Sequence, residues 1–483
     1  MNSLNRRNFL KGALGSAAAV SGFRMYNPAS AIAQSTPGKN LILINAHGGM
    51  DGLASVPYVE GIVRDYLLTG VGATTALRPW LSYLPPGTTP AADARQVAAI
   101  TSATINTAQN GLPNKIALNP AWAPLLATGA GQADVGANIK LLKGVGSLGI
   151  DNRSHETMQL YITMLDPNLS AATRRGWTAR ASDAANLPPF AFWGICNCGD
   201  LPFFNTTSSP RPIVLNSFGP MEYVDRSNID AIGNSGGDDD SRYTRQLALE
   251  LLAVEQGSTD IERSFRQGMQ QVPITKNIVD QIETIPTVGS YVNRGGSFYT
   301  NCRDVARILS YKKNSVDLQN RPSIIYMQRG GFDTHESQAA FYRDGGGVIQ
   351  HQEGGLARCI RDISENIAAL IVDLKALSMF ENTVIIIMSE FGRTTRQNSY
   401  INSVGTDHAS GSNTLVIGGS VRGGVAGSDP TVADLIHPWN NSISPNIAFE
   451  TPVGAALQWM GLNAVSIIPV SYTHLTLPTN REV

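Results

Sequence analysis

The chain has 483 residues, with 37 Lys+Arg against 38 Asp+Glu, a formal net charge of -1 and a pI of about 6.7. That balance lacks the strongly basic face of a nucleic-acid binder. A hydrophobic share of 42% with 16% charged residues excludes disorder along the whole chain. At ~150 residues per domain the length suggests about three domains, but α/β and barrel folds often exceed that size as one unit.

In chain order, residues 1–33 read as an export signal. Asn5-Arg6-Arg7-Asn8-Phe9-Leu10-Lys11 has twin-arginine character, a small-residue segment runs from Gly12 to Gly22, and Ala31-Ile32-Ala33 suits cleavage. The expected location is periplasmic or extracellular, with the twin-arginine translocase as the partner in export. No later run reaches about 18 apolar residues, so no membrane span is expected in the mature chain. Residues 34–470 are expected to form a single α/β domain. Its apolar, β-branched runs predict strands buried on both faces: Leu41–Ile44, Ile139–Val145, Pro212–Leu215, Ser323–Met327, Thr383–Met388 and Thr414–Ile417. Helical spacing is clearest over Gly354–Leu377, recurs over Leu247–Met269, and is shorter over Glu156–Leu165. Strand–helix alternation predicts a doubly wound, mainly parallel sheet with helices on both faces. Residues 70–135 and 196–245 lack periodicity and read as loop-rich insertions. Residues 471–483, including His474, read as a non-native tail. Cys196, Cys198, Cys302 and Cys359 suit structural disulfides or buried thiols, because no C-x-x-C spacing supports a zinc site.

The polar residues gather at particular places. His47-Gly48-Gly49-Met50-Asp51, Arg153-Ser154-His155, Asp333-Thr334-His335 and Glu390-Phe391-Gly392-Arg393 each follow a predicted strand, and Asp407-His408 precedes another. Open α/β sheets place their sites along the carboxyl edge of the strands. The chain has seven histidines, and His47, His155, His335 and His408 all fall in these clusters. Carboxylates with imidazoles suit zinc, manganese or iron better than magnesium or calcium alone. Asp333, His335, Asp407 and His408, with Asp51 and Glu390, are the expected ligands of two divalent cations, an arrangement suited to phosphoryl or sulfuryl transfer. The flanking glycines are expected to let backbone approach an anion closely. Ser154 precedes a helix, a place equally suited to an N-cap and to a nucleophile facing an anionic substrate. Arg153 and Arg393 suit either a bidentate clamp on substrate oxygens or loop-edge salt bridges. Gly144–Gly149 matches G-x-G-x-x-G, but the loop continues through Asp151-Asn152-Arg153, against a dinucleotide site. Gly233–Gly237 matches G-x-S-x-G without a leading strand, against a nucleophile elbow.

These motifs together resemble the family known as domain of unknown function 1501, exported bacterial proteins of the alkaline-phosphatase-like (sulfatase-like) superfamily. The resemblance rests on His-Gly-Gly-Met-Asp51, Arg153-Ser154-His155, Gly-Gly-Phe-Asp333-Thr-His335-Glu-Ser-Gln, Ser-Glu390-Phe-Gly-Arg-Thr, Asn398 and Gly-Thr-Asp407-His408. It implies an alkaline-phosphatase-like fold with a two-metal site on the strand edge. Asp51 matches the first-strand metal ligand, Asp333 and His335 the later Asp/His pair, His408 the final His, and Ser154 the helix-start nucleophile. Glu390 stands where many relatives carry Asp-His, and no sulfatase C/S-x-P-x-R signature occurs. The implied function is metal-dependent hydrolysis of a phosphate or sulfate ester, with a small anionic ester or a polymer as substrate. The alternative is a non-catalytic surface or polymer-binding protein on the same scaffold.

Overall fold

The structure is a computed structural model. It describes residues 38–68, 70–78, 106–109, 112–148, 150, 152–166, 175–188, 190–195, 212–215, 275, 277–338, 341–343, 349–351, 354–398, 404–437 and 441–468. The export segment, the predicted helix over Leu247–Met269, Cys196, Cys198, the G-x-S-x-G stretch and the tail lie outside these residues.

A nine-stranded sheet organises the chain. Its strands are β1 (Asn40–Ala46), β2 (Ile139–Gly146), β3 (Phe192–Ile195), β4 (Ile213–Leu215), β5 (Ser323–Arg329), β6 (Thr383–Met388), β7 (Ser412–Gly418), β8 (Gly424–Ala426) and β9 (Ile447–Ala448). The order is β8-β2-β7-β6-β1-β5-β3-β4, with β9 also pairing β2. All the predicted strands form. β1 lies parallel between β6 and β5, with Ile42 opposite Ile385 and Ile325. β7 runs antiparallel to both of its neighbours, and every other pair is parallel. The sheet is thus mainly parallel, as expected from near-continuous apolar runs.

Alternation along β1 separates two cores. Ile42 and Ile44 join one cluster and Leu41 and Leu43 the other, all at most 2% exposed. The first face is covered by α1 (Gly52–Ser55), α2 (Ile62–Leu68), α5 (Phe298–Asn314) and α6 (Gly355–Ala376). α6 presents Leu356, Ile360, Ile363, Ile367, Leu370, Ile371 and Leu374, the stripe read from the sequence. The second face is covered by α3 (His155–Met164), α4 (Trp177–Ala185), α7 (Glu450–Trp459) and α8 (Ala464–Ile467), through Met158, Ile162, Trp177, Val453 and Ile467. Helices on both faces make the sheet doubly wound.

Two parts of the presumed insertions are regular. Leu112–Ile116 pairs with Tyr58–Glu60 on one side and Asn106–Gln109 on the other in a small antiparallel sheet, and β4 extends the main sheet. The loop after β2 reaches its helix only at His155, so the Gly144–Gly149 glycines do not open a helix. Cys302 and Cys359 are buried free thiols. No helix among the described residues is long and apolar enough to cross a membrane.

Candidate metal centre

The parallel strands end along one edge, and the polar clusters meet there. His47 follows β1, Asp333 and His335 follow β5, Glu390 follows β6, and His155 opens α3 beyond β2. His408 comes from a hairpin of Gly392–Gln397 with Thr406–Ala409 that pairs it with Arg393 and leads into β7. Hydrogen bonds from His47 N–H to the Arg329 carbonyl (2.9 Å) and from Phe332 N–H to the His47 carbonyl (3.2 Å) continue the β1–β5 pairing into the site loops.

Asp333 is the centre of the cluster. His408 Nε2 and His335 Nε2 each lie 3.0 Å from its Oδ1, and 3.0 Å from one another. His155 Nε2 lies 3.4 Å from Oδ2. Partners on the far side of the His155 and His408 rings fix which nitrogen carries the proton. Glu390, fully buried, accepts from His155 Nδ1 at 2.8 Å. Burial alone pushes the Glu390 carboxyl upward; the His155 hydrogen bond, the His47 imidazole and backbone N–H groups more than offset it, so Glu390 is ionised and can only accept. The Arg153 carbonyl, also only an acceptor, lies 2.8 Å from His408 Nδ1. Asp407 Oδ1 lies 3.6 Å from His335 Nδ1. With protons on Nδ1, the Nε2 lone pairs of His155 and His408 face Asp333.

Lone pairs facing a carboxylate repel unless a proton or a cation lies between them. Burial would raise the Asp333 carboxyl, but a proton held between it and His408 whenever no cation fills that gap, and the Arg393 guanidinium, keep it well below the usual carboxylate range. The Glu390 hydrogen bond raises the proton affinity of His155 against its burial, while burial and the Arg393 charge lower that of His335. His155 Nε2 is buried and makes no hydrogen bond. Donors at ~2.0–2.2 Å around a tetrahedral zinc stand about 3.3 Å apart, close to the separations of the three Nε2 atoms from the Asp333 oxygens and of His335 from His408. An acceptor behind the ring, as at His155 and His408, is the usual support of a metal-binding histidine. The donor set therefore fits a divalent cation.

The other expected site residues fall in different places. Asp51 stands apart from the imidazoles. It caps α1 by accepting from Leu53 and Ala54 N–H at 3.0 and 3.2 Å, and its other oxygen accepts from Arg78 at 2.8 Å and Gln338 at 2.5 Å. Arg393 is buried rather than open to a substrate. Its Nε donates to the Gly49 carbonyl (2.9 Å), Nη1 to Thr406 (2.9 Å) and Nη2 to Phe332 (2.9 Å), Gly48 and Asp333. Ser154 is exposed, occupies the N-cap of α3 and makes no side-chain capping bond. Asp407 is largely exposed. Gly48 and Gly405 bring backbone against backbone rather than toward an anion. Gly48, at φ +119°, leaves only 2.2 Å between a would-be Cβ and Asp333 N, and Gly405 packs as tightly on the His335 carbonyl.

His47 and His155 join the cluster although only their position after strands marked them in the sequence. His47 Nε2 is 3.9 Å from Glu390, and groups of donors close enough to share an ion are His47/His155/Glu390, His155/Asp333/His408 and His335/Asp407/His408.

Residues 293–440 match the family described as protein of unknown function (DUF1501). No curated protein matches the chain. Among solved structures, it is similar to Ps i-CgsB in complex with k-i-k-neocarrahexaose, at 10% identity and a TM-score of 0.36, covering 88% of this chain and 72% of that one. It is also similar to the alkaline phosphatase of the Antarctic bacterium TAB5, at 11% identity and a TM-score of 0.28, covering 80% of this chain and 94% of that one.

Proposed function

We propose that this chain, whose residues 293–440 match the DUF1501 family, is an exported, metal-dependent hydrolase of phosphate or sulfate esters. One observation carries the reading: the Nε2 atoms of His155, His335 and His408 converge on an ionised Asp333 at the strand edge, and His155 directly follows the exposed Ser154 in the chain. A bound cation would polarise the ester and stabilise charge developing on its oxygens. Ser154 sits at the start of a ten-residue helix, where free N–H groups and the helix dipole favour an anionic group. In this reading the Ser154 hydroxyl is the nucleophile, and the part-exposed Arg153 side chain orients the anion. Arg393 holds Asp333 ionised and in place. The substrate is a small anionic ester or a polymer bearing such esters.

The test is a panel of phosphate and sulfate esters assayed with the metal-loaded and the chelated protein. Turnover that chelation abolishes, and that Asp333→Ala and His408→Ala lose while remaining folded, is the expected result. Undiminished turnover in both variants would remove the reading, and no turnover on any ester would favour a binding scaffold. Residues 1–33 are proposed to direct twin-arginine export, to be checked by fractionating cells that carry an Arg6→Lys/Arg7→Lys variant, in which the protein should stay in the cytoplasm.

A further inference from the structure

Two cations are the expectation from sequence, yet the geometry favours one. We propose that the site takes a single divalent cation, held by Nε2 of His155, His335 and His408 and by the Asp333 carboxylate. The proposal rests on the metal-dependent reading above and fixes the ligands and stoichiometry of that site.

A cation at His335/Asp407/His408 would draw on the same two imidazoles as the site proposed here, and the other places for a second cation, at Asp51 and Glu390, are engaged by the protein's own donors. Asp51 has four acceptor positions on its two oxygens. Leu53 and Ala54 N–H take one oxygen, and the Arg78 guanidinium and the Gln338 amide take the other. Arg78 is itself 3% exposed and anchored on the Thr394 and Thr395 carbonyls. Both Asp51 oxygens are thus taken, whereas Arg393 reaches only Oδ1 of Asp333, so a metal ion at Asp51 would have to expel a fixed donor.

Glu390 is engaged in a similar way. Its Oε1 accepts from Gly48 N–H at 2.8 Å and from His155 Nδ1 at 2.8 Å, and Oε2 lies 3.1 Å from the Ser389 hydroxyl. A cation bridging His155 Nδ1 and Glu390 would have to displace the Nδ1 proton. It would also have to open that contact toward the separation of about 3.3 Å between donors on one ion. His47, at 3.9 Å from Glu390, adds only one further donor. Glu390 is therefore a positioning residue: by holding the Nδ1 proton it turns the His155 lone pair toward Asp333. The Arg153 carbonyl does the same for His408. Three imidazoles with one carboxylate make a nitrogen-rich set, suited to zinc or ferrous iron rather than magnesium.

The experiment is zinc titration of the chelated full-length protein, with bound metal counted by native mass spectrometry and cobalt(II) absorption as the ligand-field readout. One ion per chain is expected, lost in His335→Ala and Asp333→Ala. Glu390→Gln should keep one ion with affinity reduced about 10–100-fold. Asp51→Asn should keep one ion and an unchanged cobalt spectrum; if it fails to fold, Arg78→Lys serves the same comparison. Two ions per chain would overturn the single-cation proposal and leave metal-dependent hydrolysis standing. A single ion that survives His335→Ala but vanishes in Glu390→Gln would overturn the ligand assignment. No bound ion would overturn both this proposal and the proposed function.

Discussion

The side chain of Arg393 decides how the site is held. Its nitrogens bind carbonyls from the loops after β1 and β5 and from the hairpin strand of Thr406, as well as Asp333. Lysine keeps the charge but cannot reproduce the fork. Arg393→Lys should therefore leave buried carbonyls without donors and cost on the order of 3 kcal/mol of stability. Denaturant unfolding checks this, and an unchanged midpoint would mean that the guanidinium is not the tie between these loops. Ser154 behaves differently. Because its hydroxyl makes no capping bond, Ser154→Ala should change stability by less than about 0.5 kcal/mol. The same variant should abolish ester turnover if Ser154 is the nucleophile. Loss of stability with turnover intact would return Ser154 to a capping role. The sequence put both residues after strands but left their roles open, because an arginine or serine near a site has the same letter whether it faces the substrate or the protein.

At the level of elements, α6 was the most legible part of the chain, since its apolar stripe has the helical period. Its polar face carried a feature that periodicity cannot reveal. Residues 285–296 form no regular element, and part of this segment is laid along α6. Asp373 accepts from Val288 N–H (2.6 Å), Gly289 N–H (3.2 Å) and the Tyr291 hydroxyl (2.6 Å). The Asn366 side chain accepts from Val292 N–H (2.9 Å) and donates to its carbonyl (3.0 Å). Side-chain groups of the helix thus supply what a neighbouring strand would. Asn366→Leu should release Val292, seen as faster amide exchange at 288–294 with α6 still protected. Equal protection in variant and parent would show that the segment is held by other contacts. The ligand hairpin was missed for a related reason. Gly392–Gln397 and Thr406–Ala409 are short and polar, without the alternation that marks a half-buried strand. Their pairing depends on Gly392 fitting against the Gly411 carbonyl, a contact no side chain would permit.

Across the whole molecule, the apolar strands were legible because a parallel strand buried on both faces carries its own signal. The antiparallel direction of β7 was not, since a buried run reads the same in either direction. A buried lysine was also hidden, because a lysine in a helix normally reads as surface. Lys312 on α5 is 1% exposed and donates to the Gly38 carbonyl (3.1 Å) and Asn40 Oδ1 (2.5 Å), both neutral, at the start of β1. Burial lowers its pKa from the ordinary 10.5 to about 7. Between those values the unfolded chain binds a proton that the folded chain does not. Stability contributed by this group therefore rises with pH from about 7 toward 10 and falls back as pH drops to 7; below that both states hold the proton and the contribution is flat. Lys312→Met removes the titrating group, so the stability of the parent relative to the variant should grow by up to about 1.4 kcal/mol per pH unit between pH 7 and 9. The comparison uses denaturant unfolding of both proteins at matched pH, so that tyrosines and surface lysines common to both cancel. A difference that stays constant over this window would mean that Lys312 is charged in the folded state. Its anchoring of the central strand would then depend on solvent that reaches the base of the sheet.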